Sequence, residues 1–525
     1  MHLRRPRIES RPAPALRQVQ QGLWVLPARR RASLLGPERF CFLNQPHELN
    51  ICGWDDPAID KLWRYNLHYF DDLNATNAAQ RRHWQQQLLS RWVKDNPPGE
   101  GTGWDPYPTS LRIVNWIKCA LGGHPLALEC TESLAVQARW LVRRIETHLL
   151  GNHLFANAKA LIFAGVFFQG PEAEGWLSEG LRILTHEVPE QILADGGHFE
   201  RSPMYHSLIL EDLLDVINLS RIVPLVSGST LSQCARSWRH TANDMRRWLW
   251  AMCHPEGEIS LFNDAAFGVA PRPAELEAYA LRLGLPPVHV PKDGVTHLAE
   301  SGYVRMQSGA AVALMDVSPV GPDYIPGHAH ADTLSFELSL FGQRVVVNSG
   351  TSCYGEGTER LRQRGTAAHN TVEIDGRNSS EVWGGFRVAR RARPFGLAIT
   401  KSNSSVSIRC AHNGYVRLLR KQIHWREWAM SDTELCVDDH ITGPFEGAVA
   451  RLHFAPDVKV CIHATSSQTG HIELPGGQTL NWSVEGATPF IESTTYHAEF
   501  GVTQPNACLK MVFTAPRSTV RLSWK

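Results

Sequence analysis

The sequence predicts an α+β multidomain protein, helical in its first half and built of antiparallel strands in its second, and three observations carry that reading. The chain has 525 residues, more than one hydrophobic core usually organises, so two large domains are expected. From about residue 57 to residue 283 apolar side chains recur at helical spacing, as in Trp63, Leu67 and Phe70 or Leu210, Leu213 and Ile217. Past a Pro/Gly-rich stretch at 285–294 (LPPVHVPKDG) the pattern changes to alternation. In residues 333–340 (TLSFELSL) Leu334, Phe336, Leu338 and Leu340 fall on one side, which predicts a half-buried strand. A turn at Phe341, Gly342 and Gln343 leads into Val345, Val346 and Val347, and further strands are expected at 371–374 (TVEI) and 405–408 (SVSI). Many such strands in series predict an antiparallel sandwich. The boundaries that follow are an N-terminal extension over 1–55, a helical domain over 56–290 and a β domain over 295–525.

Composition excludes several classes of function. At 43% apolar and 20% charged residues the chain is an ordinary globular protein. Its 53 lysines and arginines nearly balance 52 acids, so no global field holds nucleic acid or an anionic membrane; an anionic ligand must be gripped by local arginines and histidines. No run approaches the roughly 18 continuous apolar residues of a membrane span. Arginines crowd the start (Arg4, Arg5, Arg7, Arg29, Arg30, Arg31) without the apolar run of a signal peptide, so the chain as written reads as unexported. Eleven scattered cysteines, never in a C-x-x-C pair, suggest neither a disulfide framework nor a cysteine metal site. Of the seventeen tryptophans most are assigned to cores, though exposed indoles also stack on sugar rings.

Three segments carry possible chemistry. In residues 151–161 (GNHLFANAKAL) Leu154, Ala158, Leu161 and Gly165 form an apolar stripe, while His153 and Asn157, four apart, share another face. Either Asn152 caps this helix and His153 is satisfied inside it, or the polar groups at its mouth serve a site. In residues 195–206 (DGGHFERSPMYH) a glycine turn precedes Ser202-Pro203, a good N-cap with proline at the first helical position. Tyr205 then stands in the first turn, where the helix dipole and Arg201 would pull its phenol below the reference pKa of about 10; the alternative is a tyrosine that only anchors the helix. In the third, His328-Ala329-His330 precedes the TLSFELSL strand, and an early strand start would point both imidazoles to one side. Such a pair suits a metal or a substrate anion. Asn348 ends the next strand and His369 begins another, so His330, Asn348 and His369 are candidates to meet at one sheet edge, a donor set that suits zinc.

Taken in order, these segments resemble the heparinase II/III family of polysaccharide lyases. The resembling motifs are residues 66–70 (NLHYF), 103–108 (GWDPYP), the Asn152-His153 helix, Gly196-Gly197 through Tyr205, 327–332 (GHAHAD), 348–351 (NSGT) and 368–372 (AHNTV) with Asp375-Gly376. The resemblance implies an incomplete α/α toroid followed by an antiparallel β-sandwich, an active site in the cleft between them, and β-elimination on a uronic acid. It implies that Asn152 and His153 neutralise the C5 carboxylate, and that Tyr205, with His328 and Tyr354 as partners, moves the protons. Arg201, Asn157 and the segment holding Trp104 and Tyr107 are the candidates for orienting the sugars. A structural zinc or other divalent metal ion on His330, Asn348 and His369 is also implied, with one departure: position 348 holds a neutral amide where the family pattern usually has aspartate. An anionic polysaccharide is the expected partner.

Two other functions compete. A glycoside hydrolase on the same scaffold needs two carboxylates about 6 to 10 Å apart, for which Glu200, Asp264 and Asp332 are candidates. A polysaccharide-binding protein that grips without cutting is the other.

Overall fold

The computed structural model describes residues 9, 11–20, 22–223, 230–289, 291–402 and 405–525, so Arg4, Arg5 and Arg7 lie outside the described residues. These residues form two compact units. The first takes the described residues up to Ile192 and those of Ser207–Arg246 and Ala270–Val288; the second takes Leu193–His206, Arg247–Val269 and the described residues from His289 to Lys525.

The helical spacing of the first half is realised as α1 Leu49–Cys52, α2 Lys61–Tyr69, α3 Arg82–Asp95, α4 Pro106–Leu121, α5 Leu128–Leu141, α6 Gly151–Phe167, α7 Pro171–Gln191, α8 Pro203–Ile222, α9 Thr230–Ala251 and α10 Pro273–Arg282. α6 is not the amphipathic helix its stripe suggests. Every one of its residues except His153 is buried, because neighbouring helices cover it on all sides. Close approach to α7 depends on two missing side chains: a Cβ on Gly165 would lie 2.5 Å from Leu177 N, and one on Gly180 2.7 Å from Ala158 O. Asn152 does not cap α6; the cap position is Leu150, at φ 57°, with no side-chain cap bond. The N-terminal segment packs on this unit, Arg17 donating to Gly165 O (3.1 Å) and Arg29 N to Glu275 Oε1 (3.2 Å).

The sheets of the second unit are all antiparallel among the described residues. A five-stranded sheet runs in chain order, Gly294–Leu298, Tyr303–Ser308, Ala311–Asp316, Phe336–Leu340, Gln343–Val346. An eight-stranded sheet begins Pro394–Lys401, Val406–His412, Ile423–Met430, Glu434–Thr442, and a four-stranded sheet contains Val372–Ile374 beside Ala448–His453. Phe336, Trp428, Trp482 and Leu509 belong to one continuous apolar core. Ile423–Met430 buries every second residue, as a strand with one face to that core must. The strand expected over 333–340 differs on both counts. It starts only at Phe336, after Leu334 takes φ 64°, and both faces are buried. The polar face is accommodated by partners: Glu337 Oε2 lies 2.7 Å from His254 Nε2, and Ser339 Oγ 2.7 Å from His254 Nδ1. All eleven cysteines are free.

Candidate functional site

In the first unit a polar group forms at the start of α6. Glu146, seven residues before His153, ties two of its side chains down: Oε1 lies 3.1 Å from His153 Nδ1, and Oε2 accepts from Asn157 Nδ2 at 3.1 Å. Asn157 Oδ1 in turn accepts the Glu146 backbone N–H at 2.8 Å. The expected shared face of His153 and Asn157 is therefore real, with the carboxylate as its organiser. A carboxylate on Nδ1 selects the tautomer that leaves Nε2 bare, on a side chain 31% exposed. The Tyr107 ring sits 4.5 Å from the His153 ring, with Asn152 beside the Tyr107 phenol.

Two candidates are closed off inside the fold. Trp104 is buried, its ring 5.8 Å from Trp92 and 6.1 Å from Trp140, with Nε1 donating to Asn96 O; a core indole presents no face to a sugar. Asn157 is fully buried with its amide spent on Glu146 and Ser110, so it supports His153 from behind.

In the second unit Tyr205, Tyr354 and His328 come together. Ser202 caps α8 as its sequence predicts, its Oγ accepting the Tyr205 N–H at 3.2 Å. The Tyr205 and Tyr354 hydroxyls are 2.8 Å apart, and the Tyr205 ring lies 3.9 Å from the His328 imidazole. The expected drop in the Tyr205 pKa is reversed. Burial pushes the phenol well above 10, and Tyr354 and the Asp264 carboxylate push it further; desolvation outweighs the helix dipole. Arg201 cannot offset this, since its guanidinium is buried and donates to Ser301 O (3.0 Å) and Phe199 O (3.3 Å) rather than to the phenol.

The organiser here is Asp264, which the sequence offers only as a hydrolase acid. Its Oδ2 lies 2.8 Å from His328 Nδ1, its Oδ1 2.8 Å from His330 Nε2, and Arg360 of the helix Thr358–Arg364 (α11) grips both oxygens. Burial alone would raise this carboxyl; Arg360 and the two histidines outweigh it and hold it well below 3.8. The early strand start assumed for His328 and His330 is absent, yet both imidazoles reach one group because they bind opposite oxygens of it. Asp264 is thus too buried and too fully engaged for hydrolytic acid or base work, and Glu200 and Asp332 are buried as well.

His330, Asn348 and His369 do meet. His330 Nδ1 is 3.3 Å from His369 Nε2, and Asn348 Oδ1 is 3.1 Å from His369 Nδ1. A shared cation needs one donor atom from each residue directed at a common point. His369 turns opposite ring nitrogens to its two neighbours, so the three do not fit one metal ion. Nor do the described residues hold a cluster of three His, Cys, Asp or Glu side chains suited to one. Asp332, the carboxylate two residues past His330, accepts the Asn263 N–H (3.3 Å).

An α/α toroid followed by an antiparallel β-sandwich, with these residues on it, is the architecture of a class of polysaccharide lyases. A crystal structure of heparinase III shares it at a TM-score of 0.67 and 17% identity, covering 88% of this chain and 76% of that one. The heparinase II/III N-terminus model matches residues 60–272 and the heparinase II/III-like C-terminal model residues 290–525; the chain belongs to the heparinase II/III family. It is 26% identical over 336 residues to the heparin-sulfate lyase of Pedobacter heparinus, across 57% of this chain and 48% of that protein. It is 23% identical over 344 residues to FtsZ-localized protein C of Caulobacter vibrioides, across 64% and 56%. The chain spans about half the length of these curated relatives.

Proposed function

We propose that the chain is a lyase that cleaves a uronic-acid-containing polysaccharide by β-elimination, with His328 taking the C5 proton and Tyr205 giving a proton to the leaving oxygen. The observation that carries this is the Tyr205, Tyr354, His328 and Asp264 arrangement. Asp264 is a carboxylate that only accepts, so His328 Nδ1 carries the hydrogen and Nε2 keeps the lone pair a base needs. Tyr205, protonated through burial, is the acid. In the step, Nε2 removes the C5 proton, the electrons of that bond form the C4–C5 double bond, the C4–O bond breaks, and the departing oxygen takes the phenolic proton. Asn152 carries an amide donor of the kind a uronate carboxylate requires. The polymer that suits the chain is a sparsely sulfated one, such as a bacterial surface polysaccharide or exopolysaccharide, because a net charge of +1 does not supply the basic surface several sulfates per repeat would need. The relatives named heparin-sulfate lyase make heparan-like chains the natural comparison.

The test is ultraviolet absorbance on incubation with a panel of uronic-acid polysaccharides, heparan-like and unsulfated, beside Tyr205→Phe. A rise that the variant abolishes is expected, since elimination creates a conjugated double bond. New reducing ends without absorbance would mean hydrolysis and overturn the proposal.

A further inference from the structure

The hydrogen-bond chain behind Asp264 has a twin in the same unit. Arg426 grips Asp439 through Nε (2.7 Å) and Nη2 (2.8 Å); Asp439 Oδ1 is 2.7 Å from His424 Nε2; His424 Nδ1 is 3.2 Å from His412 Nε2. At its far end the Gly414 backbone N–H donates to His412 Nδ1 at 3.1 Å. Here every proton is fixed from both ends. A backbone N–H can only donate and an ion-paired carboxylate can only accept, so each neutral ring donates from Nε2 and accepts at Nδ1.

The chain from Arg360 repeats the same ring-nitrogen order from the carboxylate outward, with the arginine gripping through Nη1 and Nη2. Arg360 grips Asp264, Asp264 faces His330 Nε2, His330 Nδ1 faces His369 Nε2, and His369 Nδ1 faces the Asn348 amide. The same logic requires a donor at position 348. The amide has one: placed with its carbonyl toward His369, Asn348 leaves Nδ2 buried with no partner among the described residues, and exchanging the amide oxygen and nitrogen turns that N–H onto His369 Nδ1. All five polar residues of the chain are at most 1% exposed, so the bonds have no competition from water.

We infer that His330, His369 and Asn348 form a metal-independent hydrogen-bond relay, closed by the Asn348 amide N–H where a cation would otherwise sit, and that this relay with Arg360 holds Asp264 in position. The relay needs no metal because its one net charge, the Asp264 carboxylate, is already matched by Arg360. A carboxylate at 348 would put an acceptor against a ring nitrogen that must accept, and only a bound cation or an added proton would relieve it. The inference is independent of the lyase proposal, since it concerns what holds the site and not what the site does.

The test uses the full chain and no activity measurement. Purified protein is analysed for metal by mass spectrometry, and its melting is followed with a chelator and with added zinc, calcium or manganese. Wild-type protein is expected to carry only substoichiometric metal and to melt at the same temperature in all of these. One tightly held divalent ion per chain, or a melting temperature that falls on chelation or rises to saturation at one equivalent, would overturn the inference. Asn348→Asp adds a second arm. It is expected to melt lower than wild type in chelator and to regain stability with zinc; an aspartate variant as stable as wild type in chelator would show that no donor is needed at 348 and would equally overturn it. Should that variant fail to fold, the wild-type measurements decide alone.

Discussion

Asp264→Asn is the perturbation that the structure makes sharpest. The carboxylate is fully buried and receives five donors: two from Arg360, one each from His328 and His330, and a longer one from the Thr351 hydroxyl. Asparagine keeps the shape but replaces one acceptor oxygen with an NH2 group pointed at donors, and strands the Arg360 guanidinium without a counter-charge. Removing one member of a buried ion pair costs about 3–5 kcal/mol. At about 2–4 °C per kcal/mol for a body of this size, the melting temperature of the second unit should drop by roughly 6–20 °C. The contribution is pH-dependent in a defined direction. Because the folded carboxyl is held below 3.8, its stabilisation is complete above that value and is lost only as pH falls through the lower folded pKa. Calorimetry at neutral pH reads the cost, and Arg360→Met with the double variant reads the coupling. The double variant should be much less destabilised than the sum of the single ones, because removing both charges leaves none stranded. Under the lyase proposal the same substitution unfixes the His328 tautomer and should lower turnover on the order of 10²–10⁴-fold. An Asp264→Asn protein that melts within about 1 kcal/mol of wild type, or whose effect simply adds to that of Arg360→Met, would refute the reasoning.

Other outcomes follow from the same contacts. Tyr205→Phe removes one hydroxyl–hydroxyl bond, so it should cost about 1 kcal/mol in a chemical melt while abolishing the ultraviolet-detected elimination. Glu146→Ala leaves Asn157 and His153 without their shared carboxylate, and should destabilise the first unit by about 1–3 kcal/mol and raise KM more than it lowers kcat, measured by calorimetry and steady-state kinetics. Burial lowers His453 to about 4 from 6.5, so it is neutral when folded over a range in which the unfolded chain binds its proton. Stability should be full above about pH 6.5 and decline by about 3 kcal/mol from this group as pH falls to 4, seen in urea melts across that window. Gly165→Ala places a methyl against the α7 backbone and should cost about 1–3 kcal/mol by calorimetry.

Much of this protein is legible in its sequence. The shift from helical spacing to alternation marks the change from toroid helices to sandwich strands, since periodicity is a local property that burial of one face imposes. Ser202-Pro203 fixes the start of α8, and with it the place of Tyr205, through bonds between neighbours in the chain. The resemblance reaches the family by its ordered motifs. What only the tertiary structure decided are the interactions between residues far apart in sequence. Asp264 and Arg360 are 96 residues apart, and no spacing announces that a carboxylate from one segment and a guanidinium from another will meet fully buried. Glu146 is near His153 in the chain but is recognisable as its partner only once α6 is folded against it. The Tyr205 phenol shows the same division: the helix terminus that would lower its pKa is written locally, whereas the burial that raises it comes from residues the fold gathers, and in a dry site desolvation is the larger energy.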